Sequence, residues 1–581
     1  MEQYYTDERN VQILIALLKE HGIKRVIASP GSTNVTFVGS LQQDPWFEIY
    51  SCVDERSAAY MACGMAAESG EPVVLSCTGA TASRNYFPAL TEAYYRKLPV
   101  LAVTSTQDES KIGHLVAQVI DRSNQPKDAV FCSVHLQTVK DNDDAWDCNV
   151  KANQAILALK HRGGGPVHIN LTTTYSYNFA VKELPKQRII RRFTIEDALP
   201  TLPQGKIAIF CGSHIRWTEE EINAIDRFCH VVNAVVFAEP TANYEGKYKI
   251  TYNLVAQQKI EDSNRRPDLL IHIGNMSDFP NIVSNPKEVW RVAEDGQIVD
   301  RYKKLTNVFE MRELSFFNYY ASHTASNGDD SYLGNCLKIE QRLWNAIPEL
   351  PFSHLWVASR LHNKLPQNSV LHLGILSPLR SWGYFKIDKS IDIFCNEGGF
   401  GIDGNLSSFI GASLLHPDKL YFGVVGDLSF FYDMNSLGNR HIGNNLRILL
   451  INNSLGAEFH LFKQKNCICV NDISKFLSAG GHFGHQSPTL VRHYAEDLEY
   501  EYLSASDKEE FEQTYARFVT PELTEKPMIF EVFTQVKDEN EALKQMWNIE
   551  IDMSLKGNVK RAAKSLLGES GINTIKSILK K

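Results

Sequence analysis

Apolar and polar positions along the chain follow two periods. The opening MEQYYTDERNVQILIALLKEHG sets apolar residues at helical spacing among charges, which predicts an amphipathic helix. Short apolar or β-branched runs of strand length then recur at 26–28, 73–76, 100–104 and 167–171, with a helical composition at 55–68 between them. Strand and helix patterns taking turns over this length imply a mostly parallel, doubly wound sheet. The polar, basic KELPKQRIIRR at 182–192 reads as a linker. A second alternating block follows: 206–210 runs into Cys211-Gly212-Ser213, and 269–273 into Gly274-Asn275. The Ser/Asn/Asp-rich stretch 322–331 marks the next boundary, and a third block carries strand-like runs at 370–373, 391–395, 420–425, 446–451 and 529–533. The expected architecture is α/β, with three stacked doubly wound parallel-sheet domains at 1–182, 193–325 and 333–555. A basic tail, 556–581, has apolar residues at helical spacing and is expected to pack on its own protein rather than on a membrane.

Composition narrows the class. Hydrophobic residues make up 43% of the chain and charged residues 22%, ordinary for a soluble globular protein. A formal net charge of −8 argues against a nucleic-acid binder, which carries a basic surplus. The 11 cysteines are scattered; Cys467 and Cys469 are the one close pair, with no partner pair at zinc spacing, so reduced thiols are expected. The N-terminus is too charged for a secretory signal, and no apolar run approaches the roughly 20 residues needed to span a bilayer. These readings point to a cytoplasmic enzyme.

The chemistry concentrates in LYFGVVGDLSFFYDMNSLGNRHIGNNLRILLINNSLGAEFH, residues 420–460. Two apolar runs stop on Gly-Asp-Leu-Ser and on Asn-Asn. In an open parallel sheet, ligands sit beyond the carboxyl ends of the strands. If the two strands are neighbours, Asp427 and Asn453 converge there. One carboxylate, one amide oxygen and a backbone carbonyl just beyond are hard oxygen donors, suited to Mg²⁺ that takes its other ligands from phosphates and water. Gly426 lets a diphosphate approach the backbone closely. Ser429 and the amides opening the following helix can donate to phosphate oxygens. Either dipeptide alone reads as a turn or cap; together they point to a Mg-diphosphate site.

GDLS followed by NN resembles the motif of the thiamine-diphosphate-dependent enzymes, and within them the MenD-type carboligases of menaquinone biosynthesis, which join a 2-oxoglutarate-derived unit to isochorismate. The resemblance covers all three blocks. SPGSTN, VDERSAAYMACGMAAESGEPVVLSCTGATASRNYFPALTEA and GPVHINL resemble the pyrimidine-binding domain; NEGGFGIDGNLSS and GDLSFFYDMNSL resemble the diphosphate-binding domain. The middle block resembles the central domain but lacks a full Gly-rich fingerprint, so bound FAD is not expected. The resemblance implies thiamine diphosphate and Mg²⁺ as cofactors, with Asp427, Asn453 and the Leu455 carbonyl on the metal. It implies cofactor contacts from Thr78, Gly79, Gly426, Leu428, Ser429 and Ile402, the last a bulky aliphatic side chain that bends the coenzyme. Leu428 stands where the wider family has Gly, as in these carboligases. Glu55 matches the glutamate that hydrogen-bonds the aminopyrimidine, expected in an apolar pocket that raises its pKa. Gln118 matches a glutamine near the reacting centre. In the family this glutamate and the diphosphate lie on different subunits, which implies an obligate homo-oligomer, dimer or tetramer.

The chain departs from the resemblance where substrate is read. The family's S-P-G-S-R becomes Ser29-Pro30-Gly31-Ser32-Thr33, its N-R-G becomes Asn396-Glu397-Gly398, and an aliphatic residue after NN becomes Glu458. The arginine of its D-R-P-P loop has no counterpart in Gln107-Asp108-Glu109-Ser110, whereas Arg380 is retained. Ser32, Arg380, Glu397 and Glu458 form the expected substrate-facing set. Losing bidentate arginines leaves substrate carboxylates unpaired. The expected function is decarboxylation of a 2-oxo acid, with transfer of the acyl-anion unit to a carbonyl acceptor, but not the menaquinone reaction. The acid pair suggests a polar, neutral or cationic group, such as an amine or amino sugar. Two other readings stand beside it: a simple 2-oxo acid decarboxylase, although the histidine pair typical of such enzymes is not evident, and a non-catalytic scaffold or regulatory relative, against which Glu55, Asp427 and Asn453 speak together.

Overall fold

The computed structural model describes residues 4–326, 328–461, 472–481 and 487–553. The basic tail expected at 556–581 and the Cys467/Cys469 pair lie outside the described residues. In chain order, the first strands are β1 (Arg25–Ala28), β2 (Glu48–Ser51), β3 (Val73–Thr78), β4 (Val100–Thr106), β5 (Cys132–Leu136) and β6 (Val167–Thr172). Then come β7 (Arg191–Thr194), β8 (Ile207–Cys211), β9 (Val235–Ala238), β10 (Lys249–Ile250), β11 (Leu269–Ile273), β12 (Glu288–Val292) and β13 (Leu305–Glu310). The last are β14 (Val370–Leu373), β15 (Asp392–Phe394), β16 (Tyr421–Gly426), β17 (Leu446–Asn452), β18 (Glu501–Ala505) and β19 (Met528–Phe533). All of their pairings are parallel, so the α/β expectation of three parallel sheets holds. The stretch expected as a linker differs at its end: β7 starts at Arg191.

The chain divides into two compact units, Met1–Leu199 with Glu294–Glu310, and Pro200–Ala293 with Met311–Lys581. In the first unit the sheet order is β2-β1-β3-β4-β6-β5, and β7 pairs with β13. β3 (VVLSCT) and β4 (VLAVTST) are buried along their whole lengths, as central strands of a sheet covered on both faces must be. The edge strand β2 is half exposed. The helix Glu55–Ser69 begins where it does because the Asp54 side chain accepts the Arg56 and Ser57 amides, at 2.9 and 3.3 Å, and it ends at Gly70 in the left-handed region.

The second unit holds two sheets. β10-β9-β8-β11-β12 form one, with β8, β9 and β11 wholly buried. The other runs β15-β14-β16-β17-β19-β18, and its core includes Phe409, Phe430, Ile448, Leu450 and Ile529. The register sets Val425 beside Leu450 and Gly426 beside Ile451, so β16 and β17 end side by side. That adjacency is what the sequence expectation for Asp427 and Asn453 required.

Candidate active site

Asp427 is the first residue after β16 and is 2% exposed. Its Oδ1 accepts the Leu428 amide at 2.6 Å and its Oδ2 accepts the Asn453 amide at 2.9 Å. Burial pushes this carboxyl up to about 6, and the amides of Leu428, Asn453, Ser454 and Leu455 pull against it. The two asparagines of the pair serve differently. Asn452 points to the sheet, where its amide donates to Glu531 at 2.7 Å and its oxygen accepts the Ser454 amide at 3.0 Å. Asn453, the first residue after β17, has a buried Oδ1 with no hydrogen-bond partner among the described residues. An orphaned amide oxygen beside a buried carboxylate is the donor set of a hard divalent cation. Gly426 fits the same reading. A Cβ there would meet nothing within 4 Å, and its φ of −83° would suit any residue, so neither packing nor backbone strain within the chain explains the glycine. The residues present therefore fit a metal-held diphosphate.

Ser429 corrects its expectation. Its one hydroxyl proton is spent on the Ile402 carbonyl at 2.6 Å rather than aimed at a phosphate, and Asn405 donates to its oxygen at 2.8 Å. Ser429 thus fixes the loop that presents Ile402, which is half-buried. Leu428, also half-buried, packs toward Gly456.

The substrate-facing set of this unit is rearranged too. Arg380 donates through Nε and Nη2 to Asp278, at 2.6 and 3.2 Å, and through Nη1 to Glu458 at 2.8 Å. The guanidinium expected for a substrate carboxylate is held by two of the protein's own. Glu397 is 2% exposed and accepts the Thr241 hydroxyl at 2.7 Å. The same hydroxyl lies 3.2 Å from Glu239, which also accepts from Ser277. Burial pushes Glu397 up to about 7, and burial beside Glu397 raises Glu239 well above the carboxylate range. Burial makes both acids of this pair resist ionisation. Sequence reasoning missed Glu239 and Asp278; each sits just beyond a strand of the β8–β12 sheet, a position the carboxyl-end rule would have flagged.

In the first unit, Ser32 and Glu55 follow the carboxyl ends of β1 and β2, Thr78 is the last residue of β3 and Gly79 the next. Glu55 opens its helix and is half-buried, near enough to Cys77 and Tyr86 to add to the rise in their pKa values. Ser32 is exposed. Thr33, at the position of the missing arginine, is buried and donates to the Ser105 carbonyl at 2.7 Å, a packing role. Gln118 is exposed and has φ of +64°. Arg122, four residues on, was not singled out from sequence, yet its guanidinium occupies the space a Gly79 side chain would need.

Residues 9–125 match the family model described as thiamine pyrophosphate enzyme, N-terminal TPP binding domain. A 2-succinyl-5-enolpyruvyl-6-hydroxy-3-cyclohexene-1-carboxylate synthase of Bacteroides thetaiotaomicron is 31% identical over 587 residues, covering 94% of this chain and 99% of that protein. One of the same description from Bacteroides fragilis is 31% identical over 579 residues, with the same coverage. A solved Rhodococcus jostii RHA1 thiamine diphosphate-dependent 4-hydroxybenzoylformate decarboxylase covers 90% of this chain and 99% of its own, at 16% identity and a TM-score of 0.38, too loose to carry an argument. Among the described residues no helix is long and apolar enough to cross a membrane.

Proposed function

The chain belongs to the 2-succinyl-5-enolpyruvyl-6-hydroxy-3-cyclohexene-1-carboxylate synthase family of thiamine-diphosphate enzymes, and from that premise we propose that it decarboxylates a 2-oxo acid and transfers the remaining acyl unit to a carbonyl acceptor other than the menaquinone precursor. The observation that carries the coenzyme site is the partnerless Asn453 Oδ1 beside buried Asp427. Asp427, Asn453 and the Leu455 carbonyl would hold Mg²⁺, with the diphosphate over Gly426. When bound, thiamine diphosphate supplies a nucleophilic carbon that adds to an oxo group and takes up the electron pair released with carbon dioxide. Glu55 would hold a proton at the aminopyrimidine ring nitrogen, with Thr78 and Gly79 lining that pocket. Ile402 would support the bent coenzyme from below, and Gln118 would reach the reacting centre.

Residues 1–182, 193–325 and 333–555 would serve as pyrimidine-binding, central and diphosphate-binding domains of a cytoplasmic enzyme. Around Glu55, Val53, Tyr60 and Met61 are 77%, 48% and 40% exposed. An apolar surface flanking a proposed catalytic group fits cover by a second copy, hence an obligate homo-oligomer.

Acceptor choice follows from charge. Arg380 is already bound by two carboxylates, Asp278 and Glu458, and the acids Glu239 and Glu397 lie near enough to Asp278 to feel its charge. Such a site repels a polycarboxylate and suits a polar, neutral or cationic group. Purified protein given 2-oxoglutarate and isochorismate should yield no adduct; robust turnover would overturn this reading. Mass-spectrometric screening of 2-oxo acids for carbon dioxide release, with and without aldehydes, should show acceptor-dependent adducts. Release with no adduct would make the enzyme a simple decarboxylase.

A further inference from the structure

The two sheets of the second unit enclose a cavity that none of the residues assigned to the coenzyme lines. It measures about 150 Å³ and lies between the β9–β10 edge of one sheet and β15, an edge strand of the other, with the segment before it. Asn243, which follows β9, fixes this junction. Its side-chain amide donates to the Ile393 carbonyl at 3.1 Å, and its side-chain oxygen accepts the Ile393 amide at 2.9 Å. The edge of β15 is thereby tied to the neighbouring sheet.

Interior and mouth differ in chemistry. Pro240, Phe385 and Ile393 line the cavity and are buried. Glu239 lines it too and is 0% exposed. Burial, with Glu397 beside it, holds the Glu239 carboxyl well above the carboxylate range, so this wall is neutral. The other lining charges are partly exposed. Lys249 pairs with Glu245 Oε1, and Lys386 donates to Glu340 at 2.7 Å. Glu340 is itself held in place, because its second oxygen accepts the Thr251 amide at 3.1 Å. An ammonium carries three N–H bonds, and each lysine spends one of them on a carboxylate among the described residues. Both can take a further oxygen, and Glu245 keeps Oε2 for a donor.

A cavity of this size holds an apolar body about as large as benzene. Charges of both signs at the mouth then decide what carries that body. A simple anion would face Glu245, and a simple cation would face two lysines. A zwitterion satisfies all three.

We propose that this cavity binds an α-amino acid with an apolar side chain, the side chain against Phe385 and Ile393, the ammonium on Glu245 and the carboxylate on Lys249 and Lys386. The site is independent of the thiamine-diphosphate reading. Its inner wall adjoins the substrate-facing acids, since the Thr241 hydroxyl beside Glu239 donates to Glu397.

Isothermal titration of the full-length protein with L-valine, L-leucine and L-methionine tests it. At least one should bind with a Kd of about 1 mM or tighter. The analogues of that amino acid lacking the ammonium or the carboxylate, 4-methylpentanoate and 3-methylbutylamine for leucine, should each bind about 10-fold or more weakly. Ile387→Trp fills the cavity without removing a charge and should abolish binding. Thiamine diphosphate and Mg²⁺ should leave the affinity unchanged. No binding by any of the three amino acids, or an analogue that binds as tightly with one charge missing, overturns the proposal. So does binding undiminished in Ile387→Trp, or lost on adding the coenzyme, which would place the amino acid elsewhere. Should Ile387→Trp fail to fold, the analogue comparison on wild type still decides.

Discussion

Replacing Glu539 by glutamine should remove a large pH dependence from the stability of this protein. Glu539 lies in the first turn of the helix Val536–Trp547 and is 8% exposed. Both carboxyl oxygens lie 3.0 Å from the His354 amide, and the Thr534 hydroxyl donates to Oε1 at 2.7 Å. Burial pushes the carboxyl from 4.5 up to about 7, with Asp538 and Asp427 adding to the rise. The folded state therefore holds this proton more tightly than the unfolded chain does. Between pH 4.5 and 7 the folded form binds more protons, so stability falls as pH rises, and the loss is complete above 7. A rise of about 2.5 units at about 1.36 kcal/mol each amounts to about 3 kcal/mol. Glutamine keeps an oxygen for Thr534 and does not titrate. Urea unfolding of the metal-free and coenzyme-free protein, followed by tryptophan fluorescence, should show Glu539→Gln gaining about 2–3 kcal/mol on wild type between pH 5 and pH 8. A stability difference that stays constant across that range would refute the argument, because it would mean the carboxyl is already ionised in the folded state.

Further outcomes follow from the same geometry. Gly79→Ala sets a Cβ against the Arg122 guanidinium and 2.8 Å from the Ser105 carbonyl, and should cost about 1–3 kcal/mol, read as a lower unfolding midpoint. Gly426→Ala meets nothing, so it should leave that midpoint within about 0.5 kcal/mol while weakening thiamine diphosphate binding, measured by fluorescence titration. Glu55→Gln should slow carbon dioxide release by about 10²–10⁴-fold with the coenzyme still bound, seen by native mass spectrometry. Removing divalent metal with EDTA should release the coenzyme from wild type, and Asp427→Asn should fail to recapture it when Mg²⁺ is restored.

Most of the elements legible in the sequence were those buried on both faces, although the edge strand β15 was also expected, at 391–395. β3, β4, β11, β14, β16, β17 and β19 are runs of apolar residues in the middle of their sheets or one strand from an edge, and their positions were expected within a residue or two. The edge strands β2 (EIYS), β5 (CSVHL) and β18 (EYLSA) carry no such run, because one side faces water. β9 (VVFA) has the apolar signal, but it follows the helix Glu219–Val232 so closely that the two merge in HVVNAVVFA. In the site, Asp427 and Asn453 were legible because hard oxygen donors closing two strands are unusual in pairs. The different roles of Asn452 and Asn453 were not, since they depend on which of the two finds a partner across the sheet, as Asn452 does in Glu531. Arg380 looked free in sequence because its partner Asp278 lies 102 positions away. Arg122 was not legible because its contact with Gly79 joins distant positions that no motif links.

The most direct test is a crystal structure of the protein grown with thiamine diphosphate and Mn²⁺ in place of Mg²⁺, the metal located by its anomalous scattering. One peak is expected at coordination distance, roughly 2 Å, from an Asp427 carboxylate oxygen, Asn453 Oδ1 and the Leu455 carbonyl. The diphosphate should complete its shell. A metal bound elsewhere, or a coenzyme seated with Asn453 Oδ1 still without a ligand, would contradict that expectation.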